Sequence, residues 1–189
     1  MASQFDLELD EKKNKNAYID LWIKSLSSGD LSAMEYLYAN TSTEIYGYAL
    51  AMLKNSSDAE DVVHDCYLTI HRAASSYKSQ GKPLAWMFTI TRNLCLEKIR
   101  KREQIHDEDF DETFYVADEN KLSVEEKETL NMCLNELNDE EREIVTLHAL
   151  AGFKHREIAK LTNRSLPAVL SKYNRAIKKM KEKMEGDVK

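Results

Sequence analysis

The chain has 189 residues, of which 42% are hydrophobic and 32% are charged, and its net charge is −6. This apolar content suffices for one or two small cores, whereas the negative balance argues against a protein that coats nucleic acid non-specifically. With only 5 glycines and 2 prolines, and no alternating strand pattern between turn residues, the sequence predicts an all-α fold.

The spacing of the cysteines and the composition of the N-terminal residues indicate in which cellular compartment the protein acts. Cys66, Cys95 and Cys133 lie far apart and form no Cys-x-x-Cys pair, which argues against a disulfide framework or a zinc knuckle. The N-terminal residues lack the apolar run of a signal peptide, and no segment is long enough to span a membrane. We therefore expect a cytoplasmic protein with no metal site and no cofactor.

Two helices are predicted before the central part of the chain. Residues 1–16 are polar and are expected to form a flexible tail, whereas apolar residues recur at helical spacing over Ala17–Leu26. Asp30 is a suitable N-cap for a long helix over Leu31–Leu53. The aromatic stripe of that helix is interpreted as core packing.

The stretch Ser57–Arg102 predicts two helices joined by a polar turn. Ser57 and Glu60 match a capping box at the start of the first helix. Asp61 and Asp65 lie four residues apart, so their like charges repel each other on one surface of the helix. A basic partner would relieve this repulsion. The alternative is an ordinary solvated helix face.

The second helix of this stretch combines an aromatic residue with cations. It follows the turn Tyr77–Lys82, in which Gly81 can take a positive φ, and begins near Pro83. Trp86 lies outside the apolar stripe and near Arg92, a combination that suits stacking on bases and pairing with phosphates. Composition alone leaves open that Trp86 packs against Trp22 or a tyrosine.

A change in composition marks a domain boundary. After Glu103 the chain is rich in carboxylates, with Lys121 as the only lysine or arginine before Val124, which predicts a flexible acidic linker. The predicted organisation is a tail (1–16), a first helical domain (17–103), a linker (104–122) and a second helical domain (123–189).

The second domain predicts a helix-turn-helix. Ser123/Glu126 and Asn138/Glu141 match capping boxes, and Gly152 closes the second of these helices. A short helix over His155–Leu161 is followed by a turn with Asn163, a good left-handed residue, and by a basic helix from Leu166. Ser165 is the expected cap of that last helix, with Pro167 in its first turn.

Together these motifs resemble a known family. DAEDVVHDCYLTIHRA followed by LAWMFTITRNLCLEKIRKR resembles region 2, and LNDEEREIVTLHALAGFKHREIAKLTNRSLPAVLSKYNRAIKKM resembles region 4, of the extracytoplasmic-function sigma factors of bacterial RNA polymerase. The resemblance covers most of Leu26–Met184. It implies a transcription initiation factor that directs core polymerase to promoters, reads their −10 and −35 elements and helps to melt DNA.

The resemblance also implies partners and site residues. The partners are core RNA polymerase, through its β′ clamp helices and β flap, promoter DNA, and an anti-sigma factor that can hold the protein at the membrane. The residues matching the clamp-helix contact are Asp61, His64, Asp65, Tyr67 and His71. Those matching the −10 contact are Tyr77, Lys78, Trp86, Thr89, Arg92, Asn93, Lys98 and Arg100. Those matching the −35 contact are Arg156, Arg164, Ser165, Ser171, Lys172, Asn174, Arg175 and Lys178.

Three positions depart from the family pattern. His64 replaces a usual Gln and, like Gln, can both donate and accept hydrogen bonds. Pro167-Ala168 replaces a common Gly-Thr and removes a hydroxyl that could contact phosphate. Leu170 replaces a usual Lys on the outward face, where it suits either a thymine methyl or an anti-sigma partner.

Two other functions have partial support in the sequence. The dipeptide His64-Asp65 occurs in HD-type metal-dependent phosphohydrolases, but the further ligands those enzymes need are not suitably spaced here. A stand-alone helix-turn-helix regulator would leave Ser57–Arg102 unexplained. No nucleophile–base arrangement or phosphate-binding glycine loop occurs, so we expect no catalytic residue, no enzymatic activity and no small-molecule substrate.

Overall fold

A computed structural model describes the backbone of residues 4–105 and 132–186 and the side chains of residues 14–102 and 132–185. All regular secondary structure in these ranges is helical, which confirms the all-α prediction. The long helices are α1 (Gln4–Ser27), α2 (Ser32–Leu53), α3 (Ser56–Ala73), α4 (Pro83–Ile105), α5 (Asp139–Ala149), α6 (His155–Leu161) and α7 (Leu166–Gly186). A 3-10 helix over Ala74–Ser76 extends α3, and residues 132–135 are also helical. Most of the predicted linker and the predicted capping box Ser123/Glu126 lie outside the described residues.

The helix starts depend on local side-chain chemistry. Asp30 accepts hydrogen bonds from the backbone N–H of Ser32 (3.1 Å) and from its hydroxyl (2.6 Å) at the start of α2. The predicted cap of α3 was wrong: Asn55, not Ser57, is the N-cap, and its side chain accepts from the N–H of Asp58 at 2.7 Å. Asn55 has the extended backbone that a cap needs, whereas Ser57 already lies inside the helix.

Other local predictions agree with the structure. α4 begins at Pro83 after Gly81, which has a φ of +71°. Asn138 and Glu141 form the predicted capping box, and Asn163 takes a left-handed φ of +53° between α6 and α7. α1 begins at Gln4, well before the expected start at residue 17, because no glycine or proline interrupts this polar segment.

The first four helices surround one apolar core, and we call them the N-terminal module. Each helix contributes fully buried side chains, among them Ile19, Tyr48, Ile70 and Phe88. Tyr48 and Phe88 meet edge to face, with ring centroids 5.4 Å apart. This core fixes the relative rotation of α3 and α4, and therefore which of their residues face outward.

The last three helices and residues 132–137, a helical segment over 132–135 followed by a turn, form the C-terminal module. Ile144, Leu147, Ile158 and Val169 are fully buried between these helices. Arg142 is only 2% exposed, and it donates to the carbonyls of Leu134 (3.0 Å) and Leu137 (2.5 Å) and to Asp139 Oδ1 (2.9 Å). The arginine therefore fastens residues 132–137 to the start of α5.

The two modules pack against each other, with α2 facing α5. Gly47 lies in the middle of α2, and a Cβ at this position would be 3.4 Å from Leu150 Cδ1. Arg92 Nε donates to Glu143 Oε1 at 2.6 Å across the same interface. The buried apolar residues of both modules consequently form one continuous cluster.

Candidate functional site

One face of α3 carries the residues predicted to contact polymerase. Asp61, His64, Asp65 and His71 are all exposed on it. The Asp61 side chain keeps 65% of its surface accessible although it pairs with Lys98. The result is a carboxylate- and imidazole-bearing helix face that is open to a partner.

Tyr67, the fifth residue of that set, lies in the core. It is 6% exposed, its hydroxyl forms a hydrogen bond of 2.7 Å with Thr41 Oγ1, and its ring contacts that of Tyr38 at 5.0 Å. Burial raises the pKa of the Tyr67 phenol, so it stays neutral. Because its hydroxyl is already bonded within the module, Tyr67 is placed to support the exposed α3 face from the side of the core.

A charge cluster joins α3 to α4. Lys98 Nζ donates to Asp58 Oδ1 at 2.6 Å and to Asp61 Oδ2 at 2.8 Å, and Arg102 also donates to Asp58. Burial opposes the ionisation of Asp58, but the bonds from Lys98 and Arg102 outweigh it and hold the pKa of this carboxyl below its ordinary value. Lys98, predicted to bind DNA, therefore lies beside the carboxylates of α3. Sequence reasoning missed Asp58, since only the packing of α3 on α4 reveals its partners.

An aromatic pair stands at the turn between α3 and α4. The rings of Tyr77 and Trp86 lie 4.8 Å apart with an interplanar angle of 52°, and the Tyr77 hydroxyl donates to Asp20 Oδ1 at 2.8 Å. Burial and the neighbouring Asp20 carboxylate raise the pKa of the Tyr77 phenol. Trp86 is half-buried, so it packs against a tyrosine and still presents part of its ring to solvent.

The remaining residues of the predicted −10 set differ in exposure. Lys78, Asn93 and Arg100 are exposed. Thr89 is half-buried, and its hydroxyl donates to the carbonyl of Ala85 at 2.9 Å. Arg92 is engaged by Glu143 of the C-terminal module, a contact that no sequence pattern indicated.

The helix-turn-helix presents most of the predicted −35 residues to solvent. The exposed ones are Arg156, Ser165, Ser171, Asn174, Arg175 and Lys178. Leu170, the departure from the family pattern, is 39% exposed among them. The Ser165 hydroxyl also accepts a 3.4 Å hydrogen bond from the N–H of Ala168, so it caps α7 as predicted.

Glu140 holds the other two −35 residues. Its Oε1 accepts from Arg164 Nη2 at 2.5 Å, and its Oε2 accepts from Lys172. The bonds from Lys172 and Arg164 lower the pKa of the Glu140 carboxyl. The sequence did not indicate that Glu140 binds these two cations. A carboxylate in the first turn of a helix is already favoured by the helix dipole, so its presence there suggests no further partner.

Comparison with known proteins identifies two matched regions. Residues 37–105 match the family Sigma-70 region 2, and residues 127–180 match the family Sigma-70, region 4. The first match contains α3, α4 and the turn between them, and the second contains the helix-turn-helix. Both stretches singled out from the sequence are therefore matched, in the same order along the chain.

Similar proteins span nearly the whole chain. It is 23% identical over 172 residues to the ECF RNA polymerase sigma factor SigK of Mycobacterium sp. (strain KMS), covering 86% of this chain and 89% of that one. A solved structure of CnrH in complex with the cytosolic domain of CnrY matches with a TM-score of 0.61 and 20% identity, covering 90% of this chain and 99% of the other. The sigma factor RpoE of Bartonella quintana, in complex with the anti-sigma factor NepR, matches with a TM-score of 0.65 and 24% identity over 75% of this chain and 89% of that one. The two structures show that the fold is shared.

The described residues contain neither a membrane-spanning helix nor a metal-binding cluster. None of the helices in the described ranges has the length and apolar character that crossing a membrane requires. Among the side chains that the structure describes, no group of three or more His, Cys, Asp and Glu residues is placed to hold a metal ion, including around His64 and Asp65.

Proposed function

The chain belongs to the extracytoplasmic-function group of the sigma-70 family, and we propose that it binds core RNA polymerase, directs it to specific promoters and helps to melt them. One observation carries this proposal: a single chain presents an exposed carboxylate face on α3 and an exposed cationic face on α7. Faces of opposite charge suit two different partners, a basic protein surface and the phosphates of DNA.

The α3 face supports a contact with the β′ clamp helices. Asp61, His64, Asp65 and His71 are exposed and can form charged or hydrogen-bonded contacts with basic side chains. Tyr67 supports this surface through its bond to Thr41. The β flap is the second contact that the family relationship assigns to core polymerase.

The turn and α4 support a contact with the −10 element. The Tyr77–Trp86 pair offers aromatic surface that can replace the stacking lost by a flipped or unpaired base. The neighbouring polar and cationic residues, which hold the strand in this proposal, are Lys78, Thr89, Arg92, Asn93, Lys98 and Arg100. Arg92 and Lys98 would exchange their present carboxylate partners for phosphates.

The exposed side of α7 supports a contact with the −35 element in the major groove. Ser171, Asn174, Arg175 and Lys178 lie on this helix, and Arg156 and Ser165 extend the face from the turn side. Arg164 and Lys172 are held by Glu140 at its edge. Leu170, which lacks a donor, can contact a thymine methyl.

The wider role follows from the family. We propose that the protein has no catalytic activity of its own, acts in the cytoplasm where core polymerase is, and is controlled by an anti-sigma factor. Both solved relatives named above are complexes with a CnrY domain or with the anti-sigma factor NepR, which supports a partner of this kind. Anchoring at the membrane through such a partner is part of the same proposal.

Reconstitution with core polymerase tests the function. Promoter-specific transcripts from a library of genomic fragments should appear only when the protein is added to core enzyme. A stand-alone regulator would instead bind duplex DNA specifically without polymerase. Absence of any added transcript, together with specific binding by the free protein, contradicts the proposal.

The polymerase surface is tested by the double substitution Asp61→Ala/Asp65→Ala. We expect affinity for core polymerase to fall about tenfold or more, since loss of charged contacts at the centre of an interface is costly. Glu35→Ala/Glu182→Ala is the matched control, because it removes two exposed carboxylates from other helices. Equal core affinity of the double variant and the control, measured by fluorescence titration, would show that α3 is not the polymerase surface.

A further inference from the structure

One carboxylate of α1 is bonded to the turn between α3 and α4. Asp20 Oδ1 accepts a hydrogen bond of 2.8 Å from the Tyr77 hydroxyl. Ser79, in the same turn, also forms a side-chain hydrogen bond with this carboxylate. Lys24 Nζ lies 2.6 Å from Asp20 Oδ2, one helical turn along α1. Two side chains of the turn therefore share one acceptor on a different helix.

Asp20 is held in place by the helix that carries it. Ile19 and Ile23 are fully buried, so they fix the rotation of α1 against the core. The Asp20 side chain is itself only 15% exposed. Burial opposes its ionisation, but the three hydrogen bonds outweigh this effect and hold the pKa of the carboxyl below its ordinary value. Asp20 thus offers a charged, fixed acceptor.

The turn that Asp20 binds is otherwise open to solvent. Residues 78–82 are exposed, and a Cβ at Gly81 would have no atom within 4 Å. Segments with so little packing gain their order from few contacts. The Tyr77 ring also contacts Trp86, with ring centroids 4.8 Å apart. Its bond to Asp20 therefore helps to determine how the two rings lie relative to each other.

We propose that Asp20 is a positioning residue for promoter opening, which holds Tyr77 and Ser79 so that the turn is shaped in advance to receive an unpaired base. The proposal rests on the −10 contact assigned above to the Tyr77 turn and Trp86. Because Asp20 engages the Tyr77 hydroxyl, a base can stack on the ring without breaking that bond. Side chains that are ordered before binding do not have to be ordered during it, which raises affinity.

Three substitutions separate this role from a general charge effect. Asp20→Ala removes the acceptor of both turn residues, and Tyr77→Phe removes one donor while keeping the ring. Their combination shows whether Asp20 acts through this hydroxyl, because the effects of two residues in one interaction are not additive. Lys24→Met is the matched control, since it removes the other partner of Asp20, which is 58% exposed, and leaves the bonds to the turn.

The test uses holoenzyme assembled from core polymerase and the full-length protein. The probe is a pool of fluorescein-labelled single-stranded DNAs of randomised sequence, and binding is measured by anisotropy. Asp20→Ala should bind about fivefold more weakly than wild type, as expected when side chains must be ordered on binding. Adding Tyr77→Phe to Asp20→Ala should cause no further loss. Lys24→Met should stay within about twofold of wild type, the size of an exposed charge effect.

Two further measurements identify positioning as the cause. The bound DNA is sequenced, and the base preference of wild type should weaken with Asp20→Ala, a change that a uniform loss of folded protein would not produce. Affinity of Asp20→Ala for core polymerase should match that of wild type, because the α3 face is unchanged. Thermal unfolding checks that each variant is folded.

The other outcomes overturn the proposal. Wild-type DNA affinity and base preference of Asp20→Ala would show that the turn does not need this carboxylate. Additive losses for Asp20→Ala and Tyr77→Phe would show that Asp20 does not act through the hydroxyl, and an equal loss with Lys24→Met would indicate a general charge effect. Wild-type holoenzyme that binds the pool no better than core polymerase alone contradicts the proposed function as well, whereas the preceding results contradict only the role of Asp20.

Discussion

A cluster of two histidines and a tyrosine joins the three helices of the C-terminal module. The rings of His148 and His155 stack with centroids 4.6 Å apart, and Tyr173 meets them edge-on at 5.0 and 4.6 Å. His148 Nδ1 lies 2.8 Å from the carbonyl of Phe153, which only accepts, so this nitrogen carries a proton. His155 Nε2 is buried with no hydrogen-bond partner among the described residues. The cluster thus favours a neutral His155.

This cluster predicts a loss of stability in mild acid. Burial and the neighbouring His148 lower the pKa of His155 from 6.5, so the unfolded chain takes up its proton at higher pH than the folded one. The stability due to neutral His155 is complete above 6.5 and is lost as the pH falls from that value towards the lowered pKa of the folded state.

Urea unfolding of the full chain, followed at α-helical wavelengths from about pH 7.5 to about pH 5.5, measures this effect. The midpoint should fall towards the lower pH in wild type and fall less in His155→Phe, which keeps an aromatic ring without a titrating group. His71→Phe, at an exposed site on α3, is the control and should follow wild type. Parallel curves for His155→Phe and wild type would rule out the cluster as the origin of the pH dependence.

Some residues carry roles that sequence alone does not reveal. Arg142 sits in the run DEEREI, and nothing there distinguishes it from a solvated arginine, yet it is buried and bonds two carbonyls. Arginine is among the residues least often buried, so composition predicts the opposite. Its burial depends on the carbonyls of Leu134 and Leu137, which the fold places against its guanidinium, and this placement is a property of the tertiary structure.

Among the elements, features determined by adjacent residues were predictable. Pro83 at the start of α4, the capping box of Asn138 with Glu141, and the left-handed Asn163 depend on contacts within a few residues. The cap of α3 was misassigned because Asn55 and Ser57 both suit the position, and the motif does not show which backbone is extended.

Contacts between elements were less predictable than the elements themselves. Helical periodicity shows that Lys98 lies off the apolar stripe of α4, but it does not show that Asp58 and Asp61 of α3 oppose it. Likewise Tyr67 was assigned to the polymerase surface from its match to the family, whereas the structure buries it under α3. Register and rotation between helices decide both cases.

The hydrogen bond between Thr41 of α2 and Tyr67 of α3 gives a prediction about the contact between these two helices. Tyr67→Phe removes the hydroxyl that bonds Thr41 Oγ1 at 2.7 Å and should lower the free energy of unfolding by about 1 kcal/mol, the usual net value of a hydrogen bond. Because the ring remains, the α3 surface keeps its shape, and affinity for core polymerase should stay within about twofold of wild type. Denaturant titration and core-binding titration measure the two effects. A large loss of core affinity without loss of stability would return Tyr67 to the contact surface.

At the scale of the whole molecule, the sequence predicted two separate modules and the structure packs them together. The acidic composition after Glu103 marks a linker, but a linker carries no information about whether the domains it joins touch. Gly47 was the one local sign, since a glycine within a long helix lowers helix stability unless close packing requires it. The charges that meet across the interface come from helices far apart in sequence, so no local pattern could pair them.

Shared packing between the modules predicts cooperative unfolding. Separation of α5 from α2 exposes apolar surface of both modules, so unfolding of one removes stabilising contacts from the other. Wild type should therefore show a single calorimetric transition with equal calorimetric and van't Hoff enthalpies.

Glu143→Ala leaves Arg92 without its buried partner while the modules are packed together, which is costly. This variant should therefore split the calorimetric profile into two transitions. Glu182→Ala, on the exposed side of α7, should keep one transition. Two transitions in wild type would mean that the modules unfold independently, because the contact through Arg92 and Glu143 would then contribute too little to couple them.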